Sequence, residues 1–244
     1  MRIQTEICLT AVDGALVAQN EGADRVEVCT ALEVGGLTPS MALIEGVRQV
    51  FDGQVVVLVR PRPGDFVVTE SELGVMIDDI SRASDAGANG VAIGALTTAG
   101  EIDVDAMAHL MDAAKGMKVT FHRAIDSVVD GLGALPILRS LGVQRLLTSG
   151  GAVTAAEGAQ RLAQMVEASS EGPSIVAASG IGSENVRALI EKSGVKEIHF
   201  SASRCIRSTM TGGGAWVLTD DANALDHMGT DPVEVAAIIQ ALRS

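Results

Sequence analysis

The chain has 244 residues, 47% of them hydrophobic and 20% charged, with a formal net charge of −13 and only four Phe, one Trp and no Tyr. That balance suits a globular domain large enough to bury its core without staples. It argues against nucleic acid, whose phosphates an acidic surface repels and whose bases need aromatic platforms. No apolar run approaches the roughly 18 residues of a membrane helix, and Met1–Thr10 lacks a signal-peptide core. Three cysteines read as reduced thiols, so the cytoplasm is the expected location.

Taken in order, strand-like runs alternate with helix-like segments. The strands are expected at Thr5–Thr10, Asp24–Thr30, Gln54–Arg60, Gly90–Leu96, Lys118–Arg123, Gln144–Gly150, Ser174–Gly180 and Glu197–Ser203. In the second run Arg25, Glu27 and Cys29 alternate with Val26 and Val28, so one face is greasy and the other carries a carboxylate and a thiol. Gly35-Gly36 and Thr38-Pro39-Ser40 follow as a loop and a helix N-cap. Between strands, Leu73, Met76, Ile77 and Ile80 recur at helical spacing, as do Met107, Leu110 and Met111, and Leu162, Met165 and Val166. Gly22, Gly87, Gly116, Gly142 and Gly194 fit helix C-termini.

Eight such units predict a single (β/α)8 TIM-type barrel over residues 1–244, with a doubly wound open sheet as the runner-up. After the eighth strand the pattern loosens through Arg207–Asp231, which holds Gly212-Gly213-Gly214, Trp216 and His227. The chain then ends in a short amphipathic helix from Pro232, read as a C-terminal extension.

In such a barrel the chemistry sits at the C-terminal strand ends. Those ends offer Glu6 and Cys8, Glu27 and Cys29 at equal spacing, Arg60, His122-Arg123, Thr148-Ser149-Gly150, Ser179–Ser183, and His199 with Ser201. Polar residues crowd there while Val, Ile and Leu fill the opposite parity, the pattern of a pocket. Two soft thiols on neighbouring strands suit Cu(I), although no CxxC, Met cluster or His-rich tract accompanies them. Glu6, Glu27, Arg60 and His122 also suit acid–base chemistry on a small anionic metabolite. Arg123, Ser149, Gly150, Gly180, Gly182, Ser183 and Ser201 would then hold the ligand, with the Gly180–Ser183 turn as a phosphate site. No Lys ends a strand, which argues against Schiff-base aldolase chemistry, and no nucleophile elbow appears.

The motifs EICLT (Glu6–Thr10), RVEVC (Arg25–Cys29), GGLTPS (Gly35–Ser40), RPRPGDF (Arg60–Phe66), TFHRAID (Thr120–Asp126) and TSG (Thr148–Gly150) resemble those of the CutC family. That family commonly has Gly where this chain has Pro63. The resemblance implies a (β/α)8 barrel, a role in copper homeostasis through thiols at Cys8 and Cys29, and a homo-oligomer, expected as a dimer. A carboxylated or phosphorylated substrate for the same pocket is the alternative expectation.

Overall fold

Alternation of β-branched residues with polar ones builds the strands, and their order closes a ring. In a computed structural model, which describes residues 2–210 and 225–243, β1 (Gln4–Leu9), β2 (Arg25–Val28), β3 (Gln54–Leu58), β4 (Gly90–Ile93), β5 (Lys118–Phe121), β6 (Arg145–Thr148), β7 (Ser174–Ala178) and β8 (Glu197–Phe200) form a closed parallel barrel. The helices α1 (Val12–Glu21), α2 (Met41–Val50), α3 (Glu70–Asp85), α4 (Val104–Ala113), α5 (Ala134–Ser140), α6 (Ala159–Ala168) and α7 (Val186–Ser193) alternate with them. The Gly-rich segment 212–214 and Trp216 lie outside the described residues.

The expected punctuation does its work. Ser40 Oγ accepts the Leu43 N–H at the start of α2, and Thr69 and Glu72 form a reciprocal capping box on α3. Gly22 and Gly194 end α1 and α7 at φ of 74° and 70°, a region that penalises any Cβ.

The last helix, α8 (Pro232–Arg243), packs against α1 and α7 and so takes the eighth place in the outer ring. A hairpin of β9 (Ser203–Ile206) and β10 (His227–Thr230) is set between β8 and that helix.

Strand parity sorts the side chains. Ile7, Val26, Val57, Ile93, Phe121 and Ile198 face outward and merge with the helices into one apolar cluster. Each fully buried Val, Leu or Ile contributes about 1.5–3 kcal/mol, so this layer carries most of the stability. Inside the barrel the apolar groups are fewer and divided: Cys8, Cys29, Val56, Leu58 and Ala92 on one side, Leu147, Val176 and Ala178 on the other. The remaining interior is charged.

Candidate metal and ligand site

Register decides which interior groups meet. β1 pairs with β2 so that Glu6 lies beside Arg25 and Cys8 beside Glu27, and β8 sets His199 beside Glu6. The two Glu-x-Cys segments are therefore offset by two residues rather than level, and Cys29 stands one step nearer the mouth than Cys8.

The deepest layer is an ion network. Arg25 donates from Nε to Glu6 and from Nη2 to Glu197, the latter at 2.8 Å, and Ser174 Oγ donates to the other Glu197 oxygen at 2.7 Å. Arg145 lies close by, its Nε donating to Thr120 Oγ1 at 3.0 Å, and burial followed by the Arg25 charge pulls its pKa down. Burial pushes the Glu6 carboxyl upward, but Arg25 and His199 outweigh it and hold the group at about 2.

Above this floor lie the thiols. Cys8 Sγ is 3.3 Å from Cys29 Sγ and 3.7 Å from Glu27 Oε1, and both cysteines are buried and reduced. The hydrogen bond with Cys29, then burial, raises the Cys8 thiol well above its ordinary value. Burial also pushes Glu27 up to about 7, against the pull of His199, and its Oε2 is buried with no hydrogen-bond partner. His199 Nδ1 is 2.6 Å from Glu6 Oε1, and its Nε2 is 4.0 Å from Glu27. Burial lowers the His199 pKa, but Glu27 and Glu6 outweigh that and raise it, favouring the imidazolium. Cys8, Glu27 and His199 bring one ligand atom each within 4.8 Å of one another, the spacing of a metal site.

A cavity of about 770 Å³ opens over this cluster, within the range of small-molecule sites. Of the residues expected to form a site, Cys8, Glu27, Cys29, Arg60, His122, Arg123, Gly180 and Ser201 line it. Glu6, Ser149, Gly150, Gly182 and Ser183 do not. Arg60 is not a partner of Glu6 or Glu27. Its guanidinium donates to the carbonyls of Val34, Gly36 and Gly64 and packs over Phe66, which ties the loops after β2 and β3 together. His122 accepts the Ala124 N–H at Nδ1, and a Cβ on Gly94 would lie 2.5 Å from the ring, so glycine at that strand end makes room for it. Burial, with the Arg60 charge adding, lowers His122 to about 3 and keeps it neutral.

The two turns expected to hold a ligand already hold carboxylates of the chain. Asp126 accepts from the N–H groups of Ser149 and Gly151 and from Thr148 Oγ1, while Arg123 pairs with it at 2.9 Å. Gly150 N–H donates to Thr148 Oγ1. At the other turn Glu234 of α8 accepts from Ser183 N–H at 2.7 Å and from Ser183 Oγ at 3.0 Å, and Gly182 N–H goes to Asn185. The first turn is also sterically fixed, because a Cβ on Gly158 would lie 1.9 Å from the Ser149 carbonyl oxygen. Gly158→Ala should therefore cost about 1–3 kcal/mol or more by overpacking. A urea melt indistinguishable from the parent would contradict that.

The sequence placed His199 at a strand end and Arg25 on the alternating face of β2 without a role for either, and Arg145 and Glu197 were missed. Their available signal was a charge at inward parity in each strand. Phe66 and Glu234 carried no signal, because loop and helix positions have no fixed parity.

The comparisons bear on the family and the fold. The CutC family profile matches residues 3–204. A CutC family protein of Histophilus somni is 42% identical over 217 residues, covering 89% of each chain. Another, from Photobacterium profundum, is 36% identical over 245 residues and the full length of both. The solved structure of CutC from Streptococcus agalactiae, whose name connects it with copper homeostasis, superposes with a TM-score of 0.77 at 30% identity, covering 82% of this chain and 98% of that one. On residues, barrel and relatives together, the chain belongs to the CutC family.

Proposed function

We propose that the protein binds Cu(I) through the thiolates of Cys8 and Cys29, in the reducing cytoplasm, as part of copper handling. The carrying observation is the 3.3 Å approach of two reduced, buried sulfurs beside an unpartnered Glu27 oxygen. The donor set fits a soft ion of low coordination. His199 is engaged by Glu6 and favours its protonated form, so it is not a free nitrogen ligand. That leaves sulfur as the main donor and disfavours the four-coordinate arrangement that Zn²⁺ takes. The copper-related name of the Streptococcus agalactiae relative supports the same reading.

Loading must displace thiol protons, so the apparent affinity should rise with pH. A chelator-competition titration under anaerobic, reducing conditions tests the proposal. One tight Cu(I) per chain is expected, lost in Cys8→Ser and in Cys29→Ser but kept in Cys205→Ser. Parent-like affinity in the Cys8→Ser/Cys29→Ser double variant would refute the thiol site.

Acid–base chemistry on a phosphorylated metabolite is the weaker reading. The amides such a group would need at Ser149–Gly151 and Ser183 are given to Asp126 and Glu234.

A further inference from the structure

The proposed Cu(I) donors, Cys8 and Cys29, are two among many residues lining a cavity of about 770 Å³. An ion needs a small fraction of that space, and the residues following β3 and β5 bring chemistry of their own to the lining. Arg60 Nε and His122 Nε2 are buried there without hydrogen-bond partners, on residues that are 8% and 4% exposed. Because His122 Nδ1 accepts the Ala124 N–H, the ring proton sits on Nε2, making it a neutral donor. Arg60 spends Nη1 and Nη2 on backbone carbonyls and keeps Nε–H spare. Both donors belong to one cluster: the Phe66 ring lies 5.1 Å from the His122 ring centre and 5.1 Å from Arg60 Cζ. A buried donor without an acceptor costs about 1–3 kcal/mol, and these two sit against the same ring.

We propose that this part of the lining is a binding site for a small organic carboxylate, whose oxygens accept from Arg60 Nε and His122 Nε2 after the Phe66 ring turns aside. The chemistry selects a singly charged ligand. One fixed cation and one neutral donor suit a carboxylate. The cavity also carries Asp231 and Glu234, which repel a phosphate dianion, while its other cations, Arg123 and His199, are already engaged by Asp126 and Glu6. Leu32, Leu58, Leu147 and Phe200 offer apolar surface to the ligand's carbon skeleton. The site is independent of the thiols.

Sodium acetate, sodium lactate and inorganic phosphate are the probes, and the ring ¹⁵N resonances of His122 are the readout. Acetate and lactate should shift the Nε2 resonance saturably, whereas phosphate should not. Phe66→Ala should tighten binding by removing the covering ring. Arg60→Gln and His122→Phe should each weaken it about tenfold or more, followed for the latter by calorimetry, with circular dichroism confirming the fold. The Cys8→Ser/Cys29→Ser variant should bind carboxylate as the parent does, so loss of Cu(I) binding and loss of this site are separable results. The proposal is overturned if acetate and lactate leave His122 unmoved in both the parent and Phe66→Ala up to roughly 100 mM. It is equally overturned by phosphate binding more tightly than either carboxylate, or by Arg60→Gln retaining parental affinity.

Discussion

Arg25→Met is expected to lower the melting temperature by about 10 °C or more. Arg25 is almost fully buried and is the direct cation for both Glu6 and Glu197. Its removal leaves two carboxylates inside the barrel without their partner. Breaking a buried pair in this way costs about 3–5 kcal/mol, although replacing a whole network by neutral groups is often nearly neutral. At this chain length each kcal/mol moves the midpoint by roughly 2–4 °C. The triple variant Arg25→Met/Glu6→Gln/Glu197→Gln should therefore recover much of the loss. Differential scanning calorimetry at neutral pH distinguishes the cases: a shift under about 2 °C for Arg25→Met would mean that the network contributes little.

Glu27→Gln should do the reverse and stabilise the protein, but only above mildly acidic pH. The folded Glu27 titrates at about 7 against an ordinary 4.5, because burial opposes its charge. Below 4.5 both folded and unfolded chains keep the proton and Glu27 has no effect. As pH rises from 4.5 to 7 the unfolded chain releases its proton first, so stability falls, by roughly 3 kcal/mol once the folded group ionises. Glutamine avoids that loss, and a rise in melting temperature of about 5–10 °C is expected at pH 8 and none at pH 4.

Glu6 works in the opposite sense. Held at about 2, it contributes stability above 4.5 that disappears as pH falls toward 2. Equal melting temperatures for parent and Glu27→Gln across pH 4–8 would contradict the raised Glu27 value. If Glu27→Gln stabilises the chain and also weakens Cu(I) binding, Glu27 is retained for binding at the expense of stability.

The strands, the helix starts at Ser40 and Thr69, and the closed barrel were legible because they depend on local period and local capping. The membership of the site was legible through inward parity at strand ends: Cys8, Glu27, Cys29, Arg60 and His122 do face one cavity. What was not legible is depth. Parity says in or out, but the stagger of a closed barrel sets how far along the axis a side chain lies. Hence Cys8 meets Glu27 rather than standing level with Cys29. Partner choice was also hidden. Arg60 could be read as the counter-ion of Glu6, yet Arg25, nineteen residues from Glu6 and on the neighbouring strand, fills that role. Nor could a linear reading show that Asp126 and Glu234 reach into the turns after β6 and β7, because both arrive from other elements of the barrel.

The seam between β1 and β8 has a consequence for how the protein is made. Both thiols lie in the first βαβ unit, whereas His199, which meets Glu6 across the seam, is 193 residues downstream of it. At a ribosomal elongation rate of about 5–20 residues per second, that separation corresponds to roughly 10–40 s. During that interval the nascent chain carries Cys8 and Cys29 without the closing strand, so an ion bound as proposed would first meet them on an unfinished barrel. Until β8 emerges, Glu6 lacks its His199 partner and the inner side of β1 stays open.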